Sequence, residues 1–552
     1  MFCINKQNTS ISISKKSKQI YYFINLQTEQ SGLDMKSIFL LISFLAIANA
    51  ANILYISNVP SPSHFIWCKA ILHSLHERGH NLTVLSPDVE ESKPNLTYLH
   101  LDKVYSEIYN GSEEMNFLEF NKIGAIELFQ VYTDVSKKSC KGSIESKGFK
   151  QFMEYPNDFK FDLVLHDITM DPCLLLIFSK VGNIPMIGVS AFNAPGVFGA
   201  SLLYPAFLPA HDLAYSAKMD FFQRLNSAFA HLIEYVFREY IIDPAVDKIV
   251  HEYYPAIPNI ATYKKNYKMY LINNEQITDH KQPSFPNQKN VGGLQVKQPK
   301  ELPADLKAFA DDATNGLVLF SLGTNVRSDS LGEERLIKIL KALGRLNKYK
   351  FLWKFETTEM LPIDLPKNVK IQAWMPQNDV LAHKNTKLFI SHCGLLSTQE
   401  SLWYGVPVLG FPVFADQPQN AVKLKDLGVG EILGILDFTE DELYTTIKKL
   451  LEDPKYIKNA KQISKALHDR PMSALEEATY WTEWLLRNPN IDLEGAAADL
   501  NLFQRHSLDL YTFILFTELI ILYVLFKIAK FIYNLFCGKK SKVQVKNSKK
   551  RN

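Results

Sequence analysis

The chain has 552 residues, of which 47% are hydrophobic, 12% aromatic and 22% charged. That is too long for one ordinary core, so two domains of about 200 residues each are expected. Net charge is only +3, and without the seven Lys and Arg of residues 538–552 the body carries four more acids than bases, which excludes a nucleic-acid surface.

Residues 1–34 are polar and rich in Lys and Ser. Lys36 then precedes an apolar run at 38–47 and the small-x-small triplet Ala48, Asn49, Ala50. This pattern marks a secretory signal at about 35–50, within a leader covering 1–50, and mature sequence starting at Ala51. The other reading is a buried first strand that is never cleaved. Three sequons follow, at Asn81, Asn95 and Asn110; Asn81 is a poor acceptor because it opens a strand expected to be buried. Six cysteines show no metal-like spacing, and their pairing is not legible.

The first half, 51–285, opens as a β-α-β unit. Residues 52–56 read as a strand, 65–78 as a helix stopped by Gly79, and 82–85 as the next strand. Residues 161–165 form another buried strand ending at His166 and Asp167. Residues 200–285 read as helical and aromatic-rich, with Phe221, Phe222, Phe229, Tyr235 and Phe237 expected mainly as core. The stretch 286–303, rich in Pro, Gly, Gln and Lys, reads as a linker. The second half, 304–490, repeats the alternation, with strands at 316–320, 351–353, 369–371, 387–390 and 406–409. The expected fold class is therefore α/β, two parallel-sheet domains facing a cleft. The glycines Gly428, Gly430 and Gly434 follow a helix, not a strand, and read as a cap and turn.

Residues 508–536 are apolar enough to cross a bilayer, and a basic tail, 537–552, follows. Positive charge on that side places the tail in the cytosol and the body in the lumen. Lys549 and Lys550 stand fourth and third from the end, like a dilysine retrieval signal.

The densest motif begins with Phe389, Ile390, Ser391, His392, Cys393 and Gly394 and runs to Glu400; it resumes at Pro407 and Pro412 and closes on Asp416 and Gln417. A strand running into a helix offers free backbone N–H groups and a positive dipole end, suited to a diphosphate. His392 adds a donor there. Glu400, farther along the helix, can accept from both hydroxyls of a ribose. Asp416 and Gln417 suit the hydroxyls of a sugar.

From Trp374 and Gln377 through Gln417 the chain resembles the UDP-glycosyltransferase family, which includes animal UDP-glucuronosyl- and UDP-glucosyltransferases. The likeness extends over nearly all of 51–537 and leans towards invertebrate members, which mostly use UDP-glucose. It implies two Rossmann-like domains in the GT-B arrangement, the first binding a small lipophilic hydroxyl acceptor and the second a UDP-sugar. It also implies that Trp374 stacks on uracil, Gln377 holds the nucleoside, Glu400 the ribose and His392 the diphosphate. Gly394 and the turn at Gly323 and Thr324 approach the phosphates, and Asp416 and Gln417 hold the sugar. One departure is Leu396, where vertebrate members often carry Asn. The expected setting is the endoplasmic reticulum membrane, with lipid as a partner and homo-oligomerisation left open.

Transfer to a hydroxyl needs a base, and His64 and Asp167 are the candidates. Both follow strands, and the spacing of His64 from His80 matches the family's dyad. No Asp-x-Asp triplet occurs in the chain, so no metal or other cofactor is expected, only the UDP-sugar as co-substrate. A nicotinamide oxidoreductase would need Gly-x-Gly-x-x-Gly after the first strand, and residues 57–64 do not supply it. A non-catalytic binding relative of the same fold is the remaining alternative.

Overall fold

The computed structural model describes residues 50–109, 124–192, 208–210, 212–282, 284–324, 326–493, 500–505 and 507–548. The signal segment, Asn110 and the last four residues lie outside these.

The first half forms one parallel sheet from β1 (Asn52–Ile56), β2 (Asn81–Ser86), β3 (Leu96–His100), β4 (Leu163–Asp167), β5 (Met186–Ser190), β6 (Tyr267–Ile272) and β7 (Gln288–Asn290). Its order is β3-β2-β1-β4-β5-β6-β7. The second half forms another from β8 (Leu317–Ser321), β9 (Lys350–Lys354), β10 (Val369–Gln372), β11 (Thr386–Ser391), β12 (Val408–Gly410) and β13 (Gly430–Ile432). Its order is β10-β9-β8-β11-β12-β13. The central strands are buried on both faces, as β4 and β8 show, which is why they read as unbroken apolar runs rather than alternating ones. In each sheet the order turns back on itself between the first strand and the fourth, between β1 and β4 and between β8 and β11. Doubly wound sheets bind ligands at that switch point, beyond the carboxyl ends of the strands.

Helix α1 (Pro62–Glu77) starts with proline in its first turn and buries Phe65, Trp67, Cys68, Ile71, Leu72 and Leu75 on β1 and its neighbours. Each such burial contributes about 1.5–3 kcal/mol. Gly79, at φ +92°, ends it, since a left-handed residue reverses the chain without a Cβ clash.

Three expectations change. Residues 200–285 are not helical throughout, because β6 runs through Tyr267–Ile272; Lys268 interrupts its apolar pattern. The stretch 286–303 contains β7, whose Gln288, Lys289 and Asn290 have no apolar side chain and form a strand only by pairing with β6. The aromatic segment is core only in part, since Tyr235 and Phe237 are half-buried and Phe237 stacks on buried Phe129 at 5.0 Å. In helix α2 (Phe221–Phe237), Phe221, Phe222 and Phe229 are exposed. Gly428 (φ +67°) does cap a helix, as expected, but Gly430 then opens β13.

Helix α3 (Ala474–Arg487), although it follows the second sheet in sequence, packs on the first half. Ala474, Ala478 and Leu485 join the core formed by Ile53, Tyr55 and Trp67. Thr479 meets Ser74 of α1 at 2.9 Å. The halves are also joined by buried polar contacts: Gln399 donates to Asn273 at 2.8 Å and Lys423 pairs with Asp279 at 2.6 Å. Helix α4 (Leu508–Ser548) is apolar over Leu508–Phe536, 29 residues whose most apolar 18-residue stretch has a mean hydropathy of 2.1 and is not buried. At 1.5 Å per residue this exceeds the roughly 30 Å of a bilayer's hydrocarbon.

Candidate active site

Both switch points carry the residues singled out by sequence. At the first, His64 stands in the opening turn of α1, just after β1, and Asp167 is the last residue of β4. Their side chains come together, with His64 Nδ1 3.6 Å from Asp167 Oδ2. That separation is too long for a hydrogen bond, and Thr169 closes it. Its hydroxyl lies 3.2 Å from His64 Nδ1 and donates to Asp167 Oδ1 at 2.6 Å. Asp167 also accepts from the Thr169 N–H (3.1 Å) and the Ser57 hydroxyl (3.3 Å). Burial alone would push the Asp167 carboxyl up; hydrogen bonds and the charge of the neighbouring imidazole outweigh it and hold the group below the usual carboxylate range. The adjacent His166 turns to the other side of its strand, where Nδ1 meets the Tyr267 hydroxyl at 2.6 Å. Burial drops its pKa to about 4, so it stays neutral.

The loop carrying Asp167 is pinned from three sides. Asp171 accepts from Asn58 Nδ2 at 3.0 Å, Cys173 is disulfide-bonded to Cys140, and Arg238, in a π turn after α2, donates to the carbonyls of Thr169 (3.2 Å) and Met170 (3.1 Å).

At the second switch point β8 ends in the turn at Gly323 (φ +86°) and Thr324, which is exposed. β11 runs through His392 into helix α5 (Leu395–Tyr404), capped by Gly394. The His392 imidazole lies between the two glycines: a Cβ on Gly323 would stand 2.5 Å from Cε1, and one on Gly394 2.5 Å from Nε2. A side chain at either position would require the imidazole to shift. Burial, with Lys354 adding to it, lowers the His392 pKa to about 4, and the buried Nδ1 has no hydrogen-bond partner among the described residues. Lys354, unforeseen from sequence, donates to the Gly323 carbonyl at 2.9 Å and to Glu356 at 2.7 Å.

Gln377 and Glu400 form a pair, Nε2 donating to Oε2 at 2.8 Å. Burial pushes Glu400 up to about 7, with Gln377 opposing the shift. Trp374, three residues before Gln377, is 66% exposed, an indole face open to stacking. Asp416 caps helix α6 (Gln417–Asp426) and accepts from Asn420 at 2.6 Å; Asn420 also donates to the Cys393 carbonyl at 3.0 Å, tying this turn to the one at His392. Gln417 departs from expectation in part. Its Oε1 accepts from the N–H groups of Val413 (2.8 Å) and Phe414 (3.2 Å), so its carbonyl end shapes the turn and only its amide end can donate outward.

Leu396 packs with the core of the first half and its carbonyl accepts from Gln295 at 3.0 Å, which explains an apolar residue there. Asn81 is engaged with Asn52 at 3.0 Å where β1 and β2 begin, a poor glycan acceptor, whereas Asn95 is exposed at φ +63°. Thr169 and Asn420 carried no sequence signal of their own. Among the described residues no group of three or more His, Cys, Asp or Glu is arranged to hold a metal ion.

Comparison with known proteins gives the family and the fold. A family model described as UDP-glucoronosyl and UDP-glucosyl transferase matches residues 53–543. UDP-glycosyltransferase UGT5 of Dactylopius coccus is 31% identical over 90% of this chain and 95% of its own length. UDP-glucuronosyltransferase 2B15 of Homo sapiens is 31% identical over 87% and 93%. The 2-hydroxyacylsphingosine 1-beta-galactosyltransferase of Mus musculus is 29% identical over 90% and 91%. Among solved structures, Os79 from O. sativa in complex with UDP aligns with a TM-score of 0.52 at 15% identity, covering 79% of this chain and 100% of that one; this likeness concerns the fold.

Proposed function

The chain belongs to the family of UDP-glucuronosyl and UDP-glucosyl transferases, and from that premise we propose that it moves a hexose from UDP to the hydroxyl of a small lipophilic acceptor with inversion at the anomeric carbon. The enzyme is a glycosyltransferase. The observation that carries the finer reading is the dyad at the first switch point, His64 linked to buried Asp167 through Thr169.

In this reading Nδ1–H of His64 donates to the Thr169 oxygen, whose own proton goes to Asp167. Nε2 is then the basic nitrogen and takes the acceptor's proton. The acceptor oxygen attacks the anomeric carbon from the face opposite UDP, and the bond to the diphosphate breaks with its electron pair leaving on UDP. The imidazolium is stabilised by the carboxylate behind it. The diphosphate is met by the N-terminus of α5, the Gly323 turn and Lys354, without a carboxylate-held cation. Trp374 and Gln377 hold the base, Glu400 the ribose, and Asp416 and Gln417 the sugar.

The related proteins are named for glucosyl, glucuronosyl and galactosyl transfer, so membership alone does not choose the sugar. We assign glucose, since the matches include UDP-glucosyltransferase 2 of D. coccus at 29% identity. The test is release of UDP from each of the three UDP-sugars with a panel of phenols and aliphatic alcohols, with and without a chelator. UDP-glucose should turn over fastest and the chelator should change nothing. Binding of every donor with no turnover would favour a non-catalytic relative.

The apolar helix Leu508–Phe536 marks a membrane-anchored chain. We place the body in the lumen of the endoplasmic reticulum. The Cys140–Cys173 disulfide supports an oxidising compartment, as does the exposed sequon at Asn95. Protease added to sealed microsomes should trim only the tail.

A further inference from the structure

Helix α2 is built with its polar side inward. Its buried positions are Ser227 and Glu234. Ser227 Oγ accepts from the Ala210 N–H at 3.0 Å and donates to the Leu208 carbonyl at 3.3 Å. Glu234 pairs with Arg238 at 3.3 Å, and Arg238 in turn holds the Thr169 and Met170 carbonyls. The opposite side carries Phe221, Phe222, Leu225, Phe229, Leu232 and Val236, all between 39% and 76% exposed. Five of these, at 221, 225, 229, 232 and 236, recur every three or four residues and so form one stripe, about 22 Å long.

A soluble surface carries scattered apolar side chains, not a continuous aromatic stripe. Rolling the helix to bury the stripe would break the contacts of Ser227, Glu234 and Arg238, so its outward aim is fixed. Something apolar therefore covers this face.

We propose that α2 lies flat in the interfacial layer of a lipid bilayer, with its stripe among the acyl chains. The chain itself selects this occupant over others. The span at Leu508–Phe536 keeps the body at a bilayer, so contact with lipid is intramolecular and opposed by little entropy. Three of the six exposed apolar residues on this side are Phe, and a strongly one-sided helix of this length and aromatic content is the form that rests in a membrane interface. The arrangement also joins the membrane to the acceptor side of the site. Arg238 extends from α2 to the same loop whose Thr169 touches His64, so a lipophilic acceptor dissolved in the bilayer would reach the dyad without crossing bulk water. That last consequence rests on the proposed reaction; the docking does not.

The test uses the full chain reconstituted in phosphatidylcholine vesicles whose acyl chains carry a clickable tag. Phe222→benzoylphenylalanine is compared with Met360→benzoylphenylalanine, a residue 55% exposed in the other half. Both variants should bind UDP like the parent, showing that each is folded. On irradiation the Phe222 variant should label lipid at least about tenfold more than the Met360 variant. Lipid labelling at the Met360 level would overturn the proposal, and so would capture of polypeptide instead, whether within one chain or as a band of twice the mass showing a second copy. The readout is independent of turnover, so an inactive enzyme that labels lipid would refute the reaction and leave the docking intact.

Discussion

The two halves share a sheet order and a switch point, yet they build their sites by opposite means. The second half, the proposed donor side, uses backbone: a left-handed glycine turn, a helix N-terminus and an imidazole held between two glycines. The first half, the proposed acceptor side, uses side chains from distant parts of the chain, with His64 and Asp167 separated by 103 residues and joined by Thr169. A diphosphate looks the same in every UDP-sugar and can be met by a fixed backbone shape. A hydroxyl acceptor varies, and only its proton must be met in one place. The difference suggests that substitutions in the two halves should separate binding from chemistry.

The sharpest separation is at His64. His64→Ala should lower turnover with aliphatic alcohols about 10²–10⁴-fold, the worth of a general base. UDP affinity measured by calorimetry should not change, and nitrophenols, partly ionised on arrival, should lose less. A parallel loss of UDP affinity would erase the division between halves. Next is Gly323→Ala, which places a Cβ against His392 and a non-glycine residue at φ +86°. Left-handed strain of about 1–2 kcal/mol, if taken from binding, weakens UDP about 5- to 30-fold. Loss of turnover at saturating donor with UDP affinity intact would contradict the backbone reading.

The third prediction concerns pH. Burial raises Glu400 to about 7, so below that value it is mostly neutral and cannot accept from two ribose hydroxyls. UDP affinity should fall as pH drops, about tenfold between pH 8 and pH 6, and Glu400→Gln should flatten the profile. A slope unchanged in that variant would assign the titration elsewhere. The smallest effect is expected at Thr169. Thr169→Val removes both hydrogen bonds of the bridging hydroxyl; loss of the one to the imidazole, worth about 0.5–1.5 kcal/mol, should cut kcat about two- to tenfold with KM unchanged, while Thr169→Ser restores it. An unaltered kcat in Thr169→Val would mean that the imidazole is held by other contacts.

The same contrast explains what could be read from sequence. The proposed donor site is compressed into Trp374 to Gln417 because consecutive turns of one sheet edge would meet one ligand, so its residues fall in a recognisable order. Central strands were legible because burial on both faces leaves no polar interruptions. β7 was not, because its side chains carry no pattern and its pairing is entirely backbone. Nor was Thr169, one of many threonines until the fold puts its hydroxyl between an imidazole and a carboxylate. The aromatic residues of α2 misled because apolar spacing indicates which side of a helix avoids water, not whether protein covers it. Cys140 and Cys173 had no spacing signal, since their pairing depends on packing between a helix and a distant loop.

The return of α3 to the first half bears on motion. The main chain crosses between the halves twice, once after β7 and once just before α3. Two crossings define an axis, so any parting of the halves is a swing about a line rather than a free tumble. Because α4 follows α3 in the chain, the membrane stem is attached to the acceptor half. The first half is thus tied to the stem through α3, and if the second half binds the UDP-sugar as proposed, UDP would enter and leave on the half whose main chain joins this frame only at the two crossings.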